Sequence, residues 1–312
     1  MTRPADRPAP TLRARLQAAS QRLLGAHCAD DLDDARLQAE LLYGEAAGLD
    51  RARVIAAGGG AADPTALVRL EALLLRRLGH EPLAYILGWR EFYGLRFEVG
   101  PGCLVPRPET ETLVEAGLAA IREHPSARRV VRVADVGTGS GAVALAVARH
   151  ALIAKVIAVD VSTGALAWAA RNRRRLGPME RVVLLAGDLL EPIAEPLDVV
   201  LANLPYIPTE EFEALPDEIR ASEPRLAVDG GEDGLDPFRR FASQLPEHLA
   251  DGPVAVLMEV GAGQAGTVTD LIVDAVGRPE TTTAVHRDLR GSRRVVEVRA
   301  GYPPGAGAAP GG

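Results

Sequence analysis

The sequence predicts an α/β protein built on a doubly wound, mostly parallel sheet. From Val130 onwards, short apolar segments alternate with helical segments, which is the pattern of strands buried on both faces of a parallel sheet. Several apolar segments stop abruptly at glycine, aspartate or asparagine, as expected where ligands bind at the carboxyl edge of such a sheet. At 312 residues the chain is long enough for two structural units.

The N-terminal part is predicted to be a small helical bundle over residues 1–80, with residues 1–10 as a frayed tail. Leucines recur at three- and four-residue spacing between Thr11 and Leu78, which is typical of amphipathic helices. The predicted helices begin near Leu12, span Ala35–Tyr43 and run from Pro64, a favoured first-turn residue, to Leu78.

Residues 81–105 are predicted to connect the two units. Between Trp89 and Val99 apolar and polar residues alternate around Gly94, which predicts a β-hairpin. Pro106 and Pro108 then end the extended segment, and acidic residues from Glu109 onwards favour the start of a helix.

Residues 106–300 carry the strand and helix alternation, and residues 301–312 are rich in glycine, proline and alanine, which predicts a disordered tail. Helices are predicted from Ala142, from Ser162 as a capping residue, and from Gln264. The predicted strands are VVRVADV (130–136), KVIAVD (155–160), VVLLAGD (182–188), LDVVLAN (197–203), VAVLMEV (254–260) and RRVVEVR (293–299).

Composition favours a soluble cytoplasmic protein that does not bind nucleic acid stably. Hydrophobic residues make up 47% and charged residues 25% of the chain, and the net charge is -7, whereas proteins that coat nucleic acid are usually basic. No apolar run reaches membrane-spanning length, and the N-terminus does not resemble a signal peptide. The two cysteines and six histidines are scattered without ligand-like spacing, so neither a disulfide nor a metal site is expected.

A glycine-rich turn follows the first strand of the sheet and is the predicted cofactor loop. Asp135 is followed by Gly137, Thr138, Gly139, Ser140 and Gly141, and glycines at alternate positions allow a tight turn and close approach of a ligand to the backbone. The pattern fits a dinucleotide fingerprint imperfectly, because Ala142 stands where a third glycine would be. The same pattern suits S-adenosylmethionine (SAM).

The next three strands also end in side chains suited to a nucleoside. Asp160 ends the second strand, where a carboxylate could bond both ribose hydroxyls of NAD or SAM, although an ordinary turn-opening aspartate would look the same. Asp188 and Leu189 end the third strand and are predicted to meet the adenine amine and the base. Asn203 ends the fourth strand, followed by Leu204, Pro205 and Tyr206.

Seven segments resemble the HemK/PrmC family of SAM-dependent methyltransferases, which modify the glutamine of the GGQ motif in peptide chain release factors. The resemblance covers the connector and nearly all of the catalytic unit, and implies a Rossmann-like methyltransferase fold. The segments are EPLAYILGWREFYGL, VPRPETE, DVGTGSGAVALA, VVLANLPYIP, EPRLAVDGGEDGL, MEVGAGQ and DLRGSRRVV.

The resemblance implies direct transfer of a methyl group to the N5 nitrogen of glutamine, without a metal. The side-chain oxygen of Asn203 and the carbonyl of Leu204 would accept the two N–H groups of the amide, Pro205 would shape the turn, and Tyr206 would pack on the amide. The family usually has NPPY where this chain has NLPY, which removes a constraint on φ but keeps the backbone carbonyl. The resemblance also implies a monomer whose helical bundle binds the release factor.

Other functions remain open on the residues alone. A ribosomal-protein glutamine or an exocyclic amine of a nucleic acid is also a planar nitrogen that such a site could methylate. An NAD-dependent dehydrogenase would share the fold but leave the NLPY turn unexplained, and a non-catalytic SAM-binding module would not need Asn203.

Overall fold

The computed structural model describes residues 10–125, 130–177 and 179–303. The chain divides into two compact units, the first comprising the described residues up to Gly88 together with Asp217–Ser222, and the second comprising the rest. No helix within the described ranges is long and apolar enough to cross a membrane. The predicted tails fall mostly outside those ranges, although Tyr302 is described and its hydroxyl donates to the carbonyl of Ala120.

The first unit is helical. Side-chain caps fix the starts of several of its helices, since Asp63 accepts from the N–H of Thr65 just before Pro64 opens the fourth one. The third and fifth helices are short and were not predicted. The helices are α1 (Leu12–Gly25), α2 (Leu32–Ala47), α3 (Arg51–Ala57), α4 (Pro64–Leu78) and α5 (Leu83–Leu87).

The second unit begins with the predicted hairpin, β1 (Trp89–Phe92) and β2 (Leu95–Glu98), which pair in antiparallel register around a Tyr93-Gly94 turn. Its remaining strands are β3 (Val131–Val136), β4 (Ala154–Asp160), β5 (Val182–Ala186), β6 (Val199–Ala202), β7 (Val254–Glu259), β8 (Thr282–Arg287) and β9 (Arg293–Ala300). Its helices are α6 (Glu111–Glu123), α7 (Ala142–His150), α8 (Thr163–Arg175), α9 (Thr209–Phe212), α11 (Asp236–His248) and α12 (Ala265–Val276), and α10 (Asp217–Ser222) groups with the first unit.

The sheet has the strand order β5-β4-β3-β6-β7-β9-β8, and the pairs from β5 to β7 are parallel. The order reverses between β3 and β6, which is the point where α/β sheets of this type bind ligands at their carboxyl edge. The predicted doubly wound, mostly parallel sheet is therefore confirmed. The final strand β9 runs antiparallel to both neighbours.

Sequence reasoning missed the edge strand β8 and the helix α11. β8 is half-exposed along its length and so lacks the apolar run that marks the buried strands. Phe238, Phe241 and Leu245 on α11 are completely buried in the core that packs on the sheet.

By contrast, Ser162 caps α8 through its hydroxyl, which accepts from the N–H of Ala165, as the sequence predicts.

Candidate active site

A cavity of about 560 Å³ opens at the carboxyl ends of β3, β4 and β6. Four residues of the predicted cofactor loop line it: Gly137, Thr138, Gly139 and Ser140. Gly141 is not among the lining residues. Its φ is +80°, and a Cβ there would approach the side chain of Ala169 to 3.2 Å, so this glycine serves the packing of α7 against α8.

The first glycine of the loop brings two parts of the site together. Gly137 has φ +75°, and a Cβ there would lie 3.0 Å from the backbone oxygen of Asn203. Only glycine therefore allows the end of β3 and the end of β6 to approach this closely. The cofactor loop and the NLPY turn are neighbours in space.

Asp135 fixes the shape of the glycine loop through two hydrogen bonds, a role that sequence reasoning did not assign to it. Its carboxylate accepts hydrogen bonds from the hydroxyl of Thr138 at 2.6 Å and from the N–H of Ala144 at 2.9 Å. Burial raises the pKa of Asp135 to about 6. The signal in the sequence was an aspartate between apolar residues at the end of the strand VVRVADV.

Asp160 lies at the end of β4 and lines the cavity, in the position predicted for it. One carboxylate oxygen accepts from the N–H of Gly139 and the other from the N–H of Ser162, both at 2.8 Å. Burial is the largest influence on this group and raises its pKa. The carboxylate is thus oriented by the backbone, and each oxygen keeps a lone pair for another donor.

Asp188 and Leu189 also line the cavity, at the loop that follows β5. Asp188 forms an ion pair with Arg240 of α11. Leu189 has φ +52°, an uncommon backbone conformation for a residue with a side chain. Leu190, the next residue, holds the turn in place, because its N–H donates to the side-chain oxygen of Gln244 at 2.8 Å. Both supports come from the helix that sequence reasoning missed.

The NLPY turn places Asn203, Leu204 and Pro205 in the cavity lining. The side-chain nitrogen Nδ2 of Asn203 donates to Oγ1 of Thr110 at 3.2 Å. Within the described residues no protein group donates to Oδ1 of Asn203 or to the carbonyl oxygen of Leu204. The turn therefore presents two hydrogen-bond acceptors.

Leu204 occupies the position at which this chain departs from the related motif. Its side chain is 3% exposed and belongs to a hydrophobic core cluster of the second unit. Packing of this side chain fixes the turn, so the turn does not depend on the ring of a proline at this position.

Tyr206 is not among the residues that line the cavity. Its ring packs against the core, and burial raises the pKa of its hydroxyl to about 12. The ring lies close enough to Gly261 that a Cβ there would approach it to 3.0 Å. In this structure Tyr206 supports the turn from behind.

A glycine-rich segment within the EPRLAVDGGEDGL motif holds the far side of the turn. The N–H of Gly230 donates to the carbonyl of Ile207 at 2.8 Å, and the N–H of Ile207 donates to the carbonyl of Val228 at 3.1 Å. A Cβ on Gly234 would lie 2.3 Å from the carbonyl oxygen of Tyr206. These two segments therefore form one packed unit beside the cavity.

A partly buried ion pair joins the VPRPETE and EPRLAVDGGEDGL motifs. Nη2 of Arg107 lies 2.7 Å and 2.8 Å from the two carboxylate oxygens of Glu223, whose side chain is inaccessible to solvent. Arg107 also lines the cavity. The pair explains why sequence segments more than a hundred positions apart belong to the same site.

Two family models match the chain: the PrmC N-terminal domain over residues 14–88 and a methyltransferase domain over residues 133–222. The release factor glutamine methyltransferase of Geobacter sulfurreducens is 42% identical over 271 residues, which cover 86% of this chain and 91% of that protein. The enzyme of the same name from Bradyrhizobium diazoefficiens is 38% identical over 292 residues, which cover 93% of this chain and 92% of that protein.

Among solved structures, the release factor-specific protein-(glutamine-N5) methyltransferase of Alicyclobacillus acidocaldarius is 33% identical. It matches with a TM-score of 0.42, covering 66% of this chain and all of that one. The resemblance drawn from the sequence motifs is confirmed by the extent and identity of the curated relatives. The chain belongs to the release factor glutamine methyltransferase family.

Proposed function

We propose that this protein transfers a methyl group from SAM to the side-chain amide nitrogen of the glutamine in the GGQ motif of peptide chain release factors. The observation that carries the proposal is the NLPY turn, whose two acceptors, Oδ1 of Asn203 and the carbonyl of Leu204, lie beside the glycine loop at one edge of the sheet. Membership of the family supports the choice of substrate.

The cavity fits SAM in size and in the chemistry of its lining. Its volume of about 560 Å³ lies within the usual range of about 300–1,000 Å³ for small-molecule sites. A Cβ on Gly139 would meet only the sulfur of Cys103, at 4.0 Å, so the backbone there is open to a ligand. SAM, when bound, would supply a methyl group on a positively charged sulfur, which is a good leaving group.

Each predicted binding residue has a proposed role. The loop from Gly137 to Gly141 would bind the amino-acid part of SAM, with Gly141 acting through the shape of the loop. Asp160 would accept from the ribose hydroxyls with its remaining lone pairs. Asp188 would meet the adenine amine and Leu189 would pack on the base.

The two acceptors of the turn would activate an unreactive nitrogen by positioning it. The lone pair of an amide nitrogen is delocalised into the carbonyl, so the free amide is a poor nucleophile. Hydrogen bonds from both N–H groups, one to Asn203 and one to Leu204, would hold the nitrogen in line with the methyl group and favour the pyramidal geometry of the transition state. A new N–C bond would form as the C–S bond breaks, and the nitrogen would then release one proton to water.

Pro205 and Tyr206 would maintain the turn. Pro205 restricts φ at the third position of the motif. Tyr206, whose ring packs on the core, would keep the two acceptors in place from behind. The contact of its half-buried ring with the substrate amide, expected from the family resemblance, stays a prediction.

The helical unit, predicted over residues 1–80, would bind the release factor. The support is its match to the PrmC N-terminal domain over residues 14–88. The hairpin connector, predicted over residues 81–105, would line the mouth of the site, and Phe92 and Cys103 do line the cavity. We further propose that the enzyme acts as a cytoplasmic monomer without stable binding of nucleic acid.

The test is transfer of a tritiated methyl group from SAM to a recombinant release factor, beside a copy whose GGQ glutamine is replaced by alanine. We expect label on the first protein only, and mass spectrometry should place it on that glutamine. Parallel reactions would contain ribosomal proteins or ribosomal RNA. Label on one of these, with none on the release factor, would overturn the proposed substrate.

An Asn203→Ala variant tests whether the turn carries the reaction. We expect kcat to fall about 100-fold or more, as when a polar group that acts on the transition state is removed, whereas the Kd for SAM changes little. Turnover equal to that of the wild type would show that Asn203 does not hold the amide.

A further inference from the structure

The orientation of the Asn203 amide decides whether the turn can bind its substrate. An asparagine side chain ends in an oxygen acceptor and a nitrogen donor of nearly the same shape. Only the orientation with Oδ1 towards the substrate can accept an N–H of the glutamine. The opposite orientation would bring N–H groups against N–H groups.

Thr110 accepts a hydrogen bond from the nitrogen of that amide. Its Oγ1 lies 3.2 Å from Nδ2 of Asn203, and Thr110 is 5% exposed. A threonine hydroxyl has a single proton to donate. If another acceptor takes that proton, Oγ1 can only accept from Asn203.

Glu259, at the end of β7, is the candidate for that other acceptor. Thr110 lowers the pKa of its carboxylate, as a hydroxyl that donates to it would. Glu259 is 2% exposed, and its Oε2 has no hydrogen-bond partner within the described residues. With Glu259 as the acceptor for the Thr110 proton, the hydrogen bonds would run in one direction, from Nδ2 of Asn203 to Thr110 and from Thr110 to Glu259.

A buried, half-satisfied carboxylate destabilises a fold, because desolvation of an unpaired polar atom costs about 1–3 kcal/mol. Burial raises the pKa of Glu259 to about 7. A hydrophobic residue or a glutamine would be the more stable choice on packing alone. Strongly perturbed carboxylates of this kind cluster at functional sites.

From these contacts we infer that Thr110 and Glu259 are positioning residues, which hold the amide of Asn203 so that Oδ1 faces the glutamine. The inference rests on the proposed function for its substrate. It assigns a purpose to the threonine of VPRPETE and to the glutamate of MEVGAGQ, which the cofactor and substrate contacts leave unused.

The orientation of the Asn203 amide should depend on pH in a defined direction. The carboxylate form of Glu259 requires the proton of Thr110, whereas the protonated form can donate to Thr110 and release the hydroxyl proton towards Asn203. Deprotonation therefore favours the productive orientation, and kcat should rise with pH. Other charges also act on Glu259: Arg294 and Arg107 lower its pKa and Glu109 raises it.

Tyr206 completes the set of titratable groups near Glu259, but burial holds the pKa of its hydroxyl at about 12. Tyr206 therefore stays neutral across the range in which Glu259 titrates. Burial also raises the pKa of Asp135 to about 6, so a titration of the Asn203 amide near neutral pH is assigned to Glu259 by its loss in Glu259→Gln.

The chain contains two asparagines, Asn172 and Asn203, which permits a direct measurement without substrate. Protein labelled only with side-chain ¹⁵N-asparagine would give two NH₂ groups in an NMR spectrum, assigned with Asn203→Ala. The amide of Asn172 donates to the carbonyls of Glu98 at 2.9 Å and Ser140 at 3.0 Å, so it serves as an internal control.

We expect the Asn203 NH₂ signals to shift with pH near neutrality in the wild type, and to lose this shift in Thr110→Val and in Glu259→Gln. Thr110→Val should lower kcat about tenfold or more with little change in the Kd for SAM. Thr110→Ser, which keeps the hydroxyl, should restore most of the activity. Thr269→Val, which removes a threonine hydroxyl bonded within α12, should behave as the wild type does.

Unchanged kcat in Thr110→Val, or equal losses in Thr110→Val and Thr110→Ser, would overturn the inference, as would an Asn203 signal insensitive to pH and to Thr110→Val. Melting curves would separate a misfolded variant from an inactive one, and Thr110→Ser still decides the matter if Thr110→Val does not fold. If the wild type shows the NMR coupling but labels no release factor, the proposed function fails while the amide orientation stands.

Discussion

The side-chain nitrogen of Gln264 donates to the backbone carbonyl of Tyr206 at 2.9 Å and to that of Gly234 at 3.4 Å. Its oxygen accepts from the N–H of Gly261 at 2.9 Å. One glutamine, the last residue of MEVGAGQ, thus joins the NLPY turn to the glycine-rich segment beside it. Three motifs that are far apart in the sequence meet at this side chain.

Gln264→Glu should impair catalysis more than cofactor binding. The change replaces the donating nitrogen with an oxygen that faces two carbonyl oxygens, so the turn loses its support and the two acceptors move. We expect kcat to fall about tenfold, which corresponds to the net loss of one or two hydrogen bonds, with the Kd for SAM changed less. Kinetics of methyl transfer and calorimetry with SAM would measure both.

Thr283→Glu on the exposed edge strand β8 is the control, because it introduces a negative charge at a residue that does not line the cavity. Equal effects of the two substitutions, or a normal kcat in Gln264→Glu, would show that Gln264 does not support the turn.

Gly234→Ala should destabilise the protein and reduce activity together. Gly234 has φ +75°, and a Cβ there would lie 2.3 Å from the carbonyl oxygen of Tyr206. Backbone strain of this kind costs about 1–3 kcal/mol, and relief of the clash would displace the turn. Urea unfolding and methyl transfer would measure the two losses.

Gly266→Ala is the control and should stabilise the protein rather than destabilise it. Gly266 lies in α12, and no atom would approach its Cβ within 4 Å, so alanine should raise the free energy of unfolding by up to about 1 kcal/mol. If Gly234→Ala proved as harmless as Gly266→Ala, the close packing of the two segments would be disproved.

The sequence predicted those parts of the fold that local rules determine. The hairpin around Gly94, the cap at Ser162 and the strand alternation depend on nearby residues, and all three are present. The ring of Tyr206 packs against the core and is not part of the cavity lining, and this depends on tertiary packing against Gly261. No local pattern could have predicted it.

The supports of the cofactor side escaped prediction for a similar reason. Arg240 and Gln244 lie on α11, whose apolar positions are spread through a polar sequence, and they contact Asp188 and the turn after β5 only through the folded arrangement. Glu259 and Thr110 were part of recognised motifs, but the burial of Glu259 and the contact of Thr110 with Asn203 appear only in three dimensions. Sequence patterns located the edge of the sheet that carries the site, and the structure supplied the contacts behind it.

Leu204→Ala should cost the second unit much of its stability. The Leu204 side chain is buried in the core, and removal of a buried leucine side chain costs about 2–5 kcal/mol because a cavity remains. The turn should also lose its order, so kcat should fall. Leu204→Met keeps the volume and should cost less than about 1.5 kcal/mol. Similar unfolding curves for the two variants would mean that packing of Leu204 does not fix the turn.

Asp160→Asn should weaken binding of SAM. The substitution removes the charge that accepts from Gly139 and Ser162, and hydrogen bonds to charged groups contribute about 1.5–3 kcal/mol. We expect the Kd for SAM to rise about tenfold or more by calorimetry. Asp270→Asn on the exposed face of α12 is the control, and an unchanged Kd in Asp160→Asn would exclude the proposed contact with the ribose.

Glu259 should make the stability of the protein depend on pH. The folded state raises its pKa from 4.5 to about 7 because burial disfavours the charged form. Between these two values the folded protein binds more protons than the unfolded chain does. The free energy of unfolding therefore falls as the pH rises through this range, by an amount on the order of 3 kcal/mol.

Glu259→Gln removes this titration, whereas the other buried carboxylates, such as Asp135, are present in both proteins and cancel in the comparison. Relative to the wild type, the variant should therefore gain stability steadily as the pH is raised from 4.5 to about 7, and the difference should level off above that range. Urea denaturation of both proteins at several pH values would measure it. A constant difference in the free energy of unfolding across the series would show that Glu259 titrates normally, and the buried carboxylate could then not control the amide of Asn203 near neutral pH.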